Sequence, residues 1–187
     1  MEHFYQNIHG WSNGIETLYP YIVSLAPINK PSYFVEVGSW RGRSSALMAV
    51  EIIRSKRPIW FDCVDTWKGS LDEDAHQLDP AVINDTLYNE FIENIKPVWN
   101  YCRPKRMTSV EAAGTYADKS LDFVFIDAGH DYDSVKADIL AWQPKIRPGG
   151  ILAGHDYYHD PNSGVCRAVN ELLTNFLTPD SCWMKWL

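Results

Sequence analysis

The chain has 187 residues, 45% of them hydrophobic and 22% charged, so it is long enough for one domain with a full hydrophobic core. Its formal net charge of −7 is concentrated in the segment 65–93, which contains eight acidic residues and one basic residue. This pattern excludes the basic face of a nucleic-acid-binding protein, and no apolar run reaches the roughly 20 residues of a membrane helix. The first ten residues are polar and have no signal core. Four scattered cysteines without a C-x-x-C pair favour a reducing compartment, so we expect a cytoplasmic protein.

The predicted elements alternate between helices and strands along the chain. Apolar residues at helical spacing predict an N-terminal helix from Ile15 that ends before Pro27, and further helices over 44–54, 85–95, 132–142 and 165–176. Continuous apolar runs predict buried strands over 33–37, 59–64, 121–126, 151–154 and 183–187. The segment 109–112 is predicted to be the end of a strand that leads into a short helix, and 147–150 a turn.

This alternation predicts one α/β domain over 1–187, with a doubly wound, mostly parallel sheet covered by helices on both faces. We expect 1–30 to form an N-terminal helical cap and 66–100 to form an acidic, lid-like insertion. A solvated insert is the alternative for that segment. Ligands of such sheets bind beyond the carboxyl ends of the strands, where this chain has Glu36-x-Gly38, Asp65, Asp127 and His155-Asp156.

Two of these strand ends suit a nucleoside ligand. Gly38 and Gly42 lie where a strand turns into a helix, and glycines there let a ligand approach the backbone closely. The G-x-x-x-G spacing differs from the dinucleotide fingerprint, and Glu36 suits a cationic amino group better than a pyrophosphate. Asp65 follows the next strand and has the position of a carboxylate that binds ribose hydroxyls. An ordinary tight turn and a capping aspartate are the alternatives.

The other two strand ends suit a metal ion. Because the strands are expected to be neighbours, Asp127, His155 and Asp156 could converge on one divalent cation such as Mg²⁺. His130 lies one turn beyond Asp127 and could act as a general base. The alternative is that Asp127 caps the following helix and that the histidines lie on the surface. Asp131, Asp133 and Asp138 are interpreted as capping or solvated helix residues.

Taken in order, the segments 35–44, 64–67, 122–132 and 147–150 resemble the class I S-adenosylmethionine-dependent methyltransferases. The resemblance is to the group of macrocin O-methyltransferases and cephalosporin-hydroxylase-like proteins, and it extends over about 33–173. It implies a Rossmann-like fold whose C-terminus is shortened, with one strand after the last helix where the full fold has two.

The resemblance also implies roles for individual residues. Glu36, Gly38 and Gly42 would lie under the methionine part of the cofactor, Asp65 would hold the ribose, and 107–109 would pass near the adenine. Asp127, His155 and Asp156 would bind Mg²⁺ or another divalent cation, with His130 as the base, although the family often has an acid at the position of His155. The full set of expected cofactor-binding residues is Glu36, Gly38, Ser39, Gly42, Ser44, Asp65, Thr108, Ser109 and Asp127.

The leading hypothesis is therefore an enzyme that transfers a methyl group from S-adenosylmethionine to a hydroxyl group of a small molecule, such as a sugar or natural product, with Mg²⁺ assistance. An NAD-type oxidoreductase and a non-catalytic domain that binds a nucleoside or metal are the alternatives. We expect a small hydroxylated acceptor as partner, and neither nucleic acid nor membrane. The oligomeric state is left open, a homo-oligomer included.

Overall fold

A computed structural model of the chain describes residues 1–70 and 73–187. Within them, one sheet has the order β3-β2-β1-β4-β5-β6. Its strands are β1 (Ser32–Val37), β2 (Ile59–Asp65), β3 (Arg103–Arg106), β4 (Leu121–Ile126), β5 (Ile146–Gly154) and β6 (Trp183–Trp186). All neighbouring strands pair in parallel except β5 and β6, which are antiparallel. The predicted doubly wound, mostly parallel sheet is confirmed.

The described residues form eight α-helices. They are α1 (Ile15–Leu25), α2 (Arg43–Ser55), α3 (Asp74–Gln77), α4 (Pro80–Ile83), α5 (Leu87–Ile95), α6 (Ser109–Gly114), α7 (Tyr132–Trp142) and α8 (Gly164–Leu172). Short 3₁₀ helices lie at Tyr5–Asn7, Lys96–Tyr101 and Gln143–Lys145. Among these helices, none combines the length and the apolar character that a membrane crossing requires.

The sheet is buried on both faces, which explains its continuously apolar strands. Successive side chains of a strand point to opposite faces. Phe34 and Phe123 therefore pack in one core with helices α1, α2 and α5, whereas Val35 and Val124 pack in a second core with α6, α7 and α8.

The strand register brings the predicted strand ends to one edge of the sheet. Val37 pairs with Val64 on one side and with Ile126 on the other, and Ile126 pairs with Gly154. The residues at and after these positions therefore share an edge, namely Gly38, Asp65, Asp127, His155 and Asp156.

Four local predictions differ from the structure. Strand β3 was not predicted, because its R-P-K-R sequence has no apolar pattern and the strand lies at the sheet edge. The segment 109–112 is helical from Ser109, because Thr108 and Glu111 form a capping box that begins helix α6. The predicted turn 147–150 is an irregular part of β5, where the pairing with β4 shifts register. Helix α8 ends at Leu172, four residues earlier than predicted.

The C-terminal half of the acidic segment packs into the core. Leu87, Phe91 and Ile95 recur every four residues on α5, and all three are fully buried. The predicted acidic insertion therefore contributes α5 to the hydrophobic core, and its role as a lid stays a prediction.

Arg41 lies in the loop between β1 and α2, residues 38–42, which is called the glycine loop below, and it attaches the acidic segment to the rest of the domain. Its guanidinium donates two hydrogen bonds to Asp79, at 2.9 and 2.7 Å, and its Nε donates to Glu90 at 2.8 Å. The side chains of Arg41 and Asp79 are only 12% and 14% exposed, so the pair is largely shielded from water. Removal of the cation would leave the largely buried carboxylate of Asp79 without compensation, whereas Glu90 is partly exposed.

We therefore expect the substitution Arg41→Met to lower the free energy of unfolding by about 3 kcal/mol, as measured by urea denaturation. Lys96→Met is the matched control, because the Lys96–Glu93 pair is exposed and should contribute almost nothing. Equal losses in the two variants would contradict the structural role of the Arg41 pairs.

Candidate functional site

Gly38 and Gly42 shape the loop between β1 and α2, and each has a positive φ, +92° and +87° respectively. A Cβ on Gly38 would lie 1.8 Å from the carbonyl oxygen of Asp127. A Cβ on Gly42 would lie 2.8 Å from the side chain of Ile95. The loop therefore requires glycine at both positions, for the backbone conformation and for close packing.

Glu36 lies beneath this loop and is fully buried. Its carboxylate accepts hydrogen bonds from the hydroxyl of Tyr19, at 2.9 Å, and from the hydroxyl of Ser45. Burial raises the pKa of Glu36, against hydrogen bonds from Ser45 and Ser44 that lower it. Glu36 and Gly42 do not line either of the two cavities described below, so their contact with a ligand stays a prediction.

Asp65 is held in place by the backbone at the end of β2. Its carboxylate accepts hydrogen bonds from the amides of Trp40 and Trp67, at 2.8 and 2.6 Å. Burial raises the pKa of Asp65, and these amides oppose that shift. Asp65 also lines the larger cavity.

The larger cavity has a volume of about 670 Å³ and extends along the carboxyl ends of β1, β2 and β4. That volume lies within the range of small-molecule sites. The predicted cofactor residues that line it are Gly38, Asp65, Thr108, Ser109 and Asp127. The structure therefore brings together the residues that were assigned to the ribose and to the adenine.

Asp138 also lines the larger cavity, which sequence reasoning missed. The interpretation of Asp138 as a solvated residue is wrong, because its side chain on α7 is buried and only 5% exposed. The two other aspartates agree with their interpretation: Asp131 caps α7 by accepting from the amide of Ser134 at 3.0 Å, and Asp133 is exposed. Since Asp131 is the cap, the alternative capping role of Asp127 is wrong.

A second cavity of about 280 Å³ adjoins the first. The predicted residues that line it are Gly38, Ser39, Ser44, Asp127, His130 and His155, together with Asp156. The N-terminal segment contributes Trp11 and Asn13 to the wall, and the acidic segment contributes Glu73 and His76. This wall was not predicted, because it joins segments that are distant in the chain.

An aromatic stack separates the two cavities. The rings of Trp40 and His76 stack with centroids 3.9 Å apart and an angle of 21° between their planes. Both residues line both cavities. Trp40 belongs to the glycine loop and has a positive φ of 47°. A large aromatic residue inside a glycine-containing loop was the sequence signal that could have indicated this role.

Asp127, His130 and Asp156 form a compact group on the floor of the smaller cavity. Each offers one ligand atom, and these atoms all lie within 4.8 Å of one another. Nε2 of His130 lies 3.0 Å from Asp156 and 4.0 Å from Asp127. On the other side of the ring, Nδ1 of His130 lies 3.0 Å from the carboxylate of Glu73. Two carboxylates and an imidazole are a donor set that fits a divalent cation.

His155 lies behind this group and is 5% exposed. Its Nε2 is 2.8 Å from the backbone oxygen of Asn13 and so donates to it, and its Nδ1 faces Asp127 and Asp156 at 3.6 and 3.2 Å. Burial alone would lower the pKa of His155, but the two carboxylates outweigh burial and raise it to about 11. The compact group thus differs from the predicted metal-binding set, since it contains His130 in place of His155.

Solved structures share this fold at low sequence identity. The O-methyltransferase NovP is 20% identical, with a TM-score of 0.69 over 92% of this chain and 79% of NovP. A candidate O-methyltransferase from Klebsiella pneumoniae is 15% identical, with a TM-score of 0.66 over 96% of this chain and 82% of that protein. The calicheamicin methyltransferase CalS11 is 15% identical, with a TM-score of 0.59 over 92% of this chain and 76% of CalS11. At such identities, the similarity shows the Rossmann-like fold.

Sequence comparison adds a curated relative and a family. The uncharacterized protein y4gI of Sinorhizobium fredii is 28% identical over 137 residues, which are 73% of this chain and 14% of y4gI. The chain therefore spans about a seventh of the length of this relative. A family model described as a methyltransferase domain matches residues 35–157, which include the glycine loop, Asp65, Asp127 and Asp156. The chain therefore belongs to this family of methyltransferase domains.

Proposed function

We propose that the chain transfers a methyl group from S-adenosylmethionine to a hydroxyl group of a small molecule, with assistance from Mg²⁺ or another divalent cation. The observation that carries this proposal is the shared wall of the two cavities at Gly38, Trp40 and Asp127. A donor in the larger cavity and an acceptor in the smaller one would come into contact at the junction of the two cavities beside these residues. Bringing two reactants together in this way supplies much of the rate of a transfer reaction.

The larger cavity has the groups that a nucleoside requires. Asp65 offers carboxylate oxygens for the ribose hydroxyls, and Met107 and Val110 offer apolar surface for a flat ring. Gly38 lets the end of β1 lie against the carbonyl oxygen of Asp127 at the wall of this cavity, because it has no Cβ. These features support S-adenosylmethionine as the cofactor.

The smaller cavity has the groups that activate a hydroxyl. Asp127 and Asp156 would hold the cation, with Nδ1 of His155 as the predicted third ligand in place of His130, and the cation would lower the pKa of a nearby hydroxyl group. Glu73 accepts from Nδ1–H of His130 and thereby leaves Nε2 of His130 to take the proton of the acceptor. In the ligand-free arrangement Nε2 contacts Asp156, so this contact must break when the acceptor enters.

The acceptor is proposed to be a small hydroxylated molecule, because the smaller cavity holds only about 280 Å³ and its lining mixes the acids Glu73, Asp127 and Asp156 with the cationic Arg43. The four cysteines are buried free thiols, which supports a reducing compartment such as the cytoplasm. NovP and CalS11 are described as methyltransferases, NovP as an O-methyltransferase, and this supports oxygen as the acceptor atom.

Calorimetric titration with S-adenosylhomocysteine tests the cofactor, and we expect micromolar binding. Transfer of a labelled methyl group to a panel of sugars and hydroxylated natural products then tests the reaction. A chelator should abolish the transfer, and added Mg²⁺ should restore it. No binding at millimolar S-adenosylhomocysteine would refute the proposal, whereas full transfer in the presence of the chelator would refute only the role of the cation.

A further inference from the structure

Asp138 is a buried acid at the wall of the larger cavity, and the proposed reaction does not use it. It lies on α7, is 5% exposed and lines the cavity together with Asp65. In the described part of the chain, no basic side chain forms an ion pair with Asp138. A buried carboxylate without a cation is costly, so a residue of this kind at a cavity wall is a candidate for ligand binding.

The surroundings of Asp138 contain one neutral donor. Ser109 accepts a hydrogen bond from Nε1 of Trp142 at 2.9 Å, so its own hydroxyl proton is free to go to Asp138. The pKa of Asp138 is raised to about 6, because burial and the nearby charge of Asp131 raise it and together outweigh a hydrogen bond from Ser109 that lowers it. One hydroxyl does not satisfy the two oxygens of a carboxylate, so acceptor capacity is left over at the cavity wall.

The cavity around Asp138 suits a flat ring with a polar edge. Met107 and Val110 precede and begin α6 and offer apolar surface, and Ala137 adjoins Asp138 on α7. Asp65, the proposed ribose ligand, belongs to the same cavity. A nucleoside held by Asp65 would therefore have its base among these side chains.

We propose that Asp138 recognises the exocyclic amino group of the cofactor's purine and thereby selects adenine over hypoxanthine. This inference rests on the proposed function. The amino group of adenine donates hydrogen bonds, which a carboxylate accepts. Hypoxanthine has a carbonyl oxygen at the same position, and two acceptors that face each other repel. A site built around such a hydrogen bond rejects the analogue that lacks it.

Calorimetry with S-adenosylhomocysteine and S-inosylhomocysteine tests this selection. We expect the wild-type protein to bind the adenosyl compound at least about 30-fold more tightly, as for the loss of a hydrogen bond to a charged group. Asp138→Asn should reduce the ratio to within about threefold, because an amide can either accept from the amine or donate to the carbonyl. Asp133→Asn, an exposed acid on the same helix, is the matched control and should keep the wild-type ratio.

The outcomes separate a binding role from a structural one. If Asp138 has only a structural role, Asp138→Asn will lower the affinity for both compounds by the same factor. The ratio of the two affinities would then stay at the wild-type value, and this result would overturn the inference. A wild-type protein that binds both compounds equally would overturn it without any variant. If the wild-type protein binds neither compound, the proposed cofactor itself is wrong, and this result is distinct from unaltered selectivity in Asp138→Asn.

Discussion

The substitution His130→Ala is expected to reduce kcat by about 10²–10⁴-fold, the usual contribution of a general base. The dissociation constant of S-adenosylhomocysteine should stay within about twofold of the wild-type value, because His130 lines the smaller cavity and not the larger one. The physical reason is the position of Nε2, which lies 3.0 Å from Asp156 at the floor of the proposed acceptor site. Steady-state kinetics and calorimetry measure the two quantities.

His159→Asn is the matched control, because His159 is exposed in a loop outside both cavities. It should leave both the turnover and the cofactor affinity unchanged. If His130→Ala retains wild-type kcat, His130 is not the base. If instead it loses activity that high Mg²⁺ concentrations restore, His130 acts as a metal ligand, as its place in the compact group allows.

The substitution Gly38→Ala is expected to destabilise the fold by about 4 kcal/mol or more, which is exceptional for a single methyl group. The added Cβ would lie 1.8 Å from the carbonyl oxygen of Asp127, and the backbone of Gly38 has a φ of +92°. Relief of this clash would separate β1 from the end of β4 and would displace Asp127. Urea denaturation measures the loss, and S-adenosylhomocysteine binding should disappear with it.

Gly149→Ala is the control variant, because it measures the cost of the backbone conformation without the cost of a clash. Gly149 also has a positive φ, +80°, but no atom lies within 4 Å of an added Cβ. The alanine there should cost only the roughly 1–2 kcal/mol of a left-handed residue. Similar losses in the two variants would show that the Gly38–Asp127 contact is not as tight as the structure has it.

The structure changes the interpretation of the acidic segment. Most of its described acids form ion pairs: Asp79 and Glu90 with Arg41, Asp85 with Arg106, and Glu93 with Lys96. Its concentrated charge is therefore partly compensated by Arg41, Arg106 and Lys96, and the pairs with Arg41 attach the segment to the glycine loop. Of the described acids in 66–93, Glu73 lines the smaller cavity and contacts His130 there.

Regular elements with a strong apolar pattern were predictable, and the irregular edge of the sheet was not. The strand at Leu121–Ile126 and the helix from Tyr132 agree with their predictions, because burial on one or both faces imposes a period that is visible in sequence. Strand β3 has no such period, because it lies at the sheet edge and its arginines stack on aromatic rings such as Trp60. Edge strands with charged side chains resist prediction for this reason.

The sequence by itself determined the parallel sheet and the residues at its carboxyl edge, because strand periodicity and chain order are local properties. Only the tertiary structure decided which side chains meet there. Glu73 contacts His130 from 57 residues away, and Asn13 engages His155 from 142 residues away, so that His155 lies behind the carboxylates and His130 faces the cavity. Burial of Asp138 likewise depends on the packing of α7 against α6, which a helical pattern cannot reveal, because periodicity indicates the face of a helix and not what covers it.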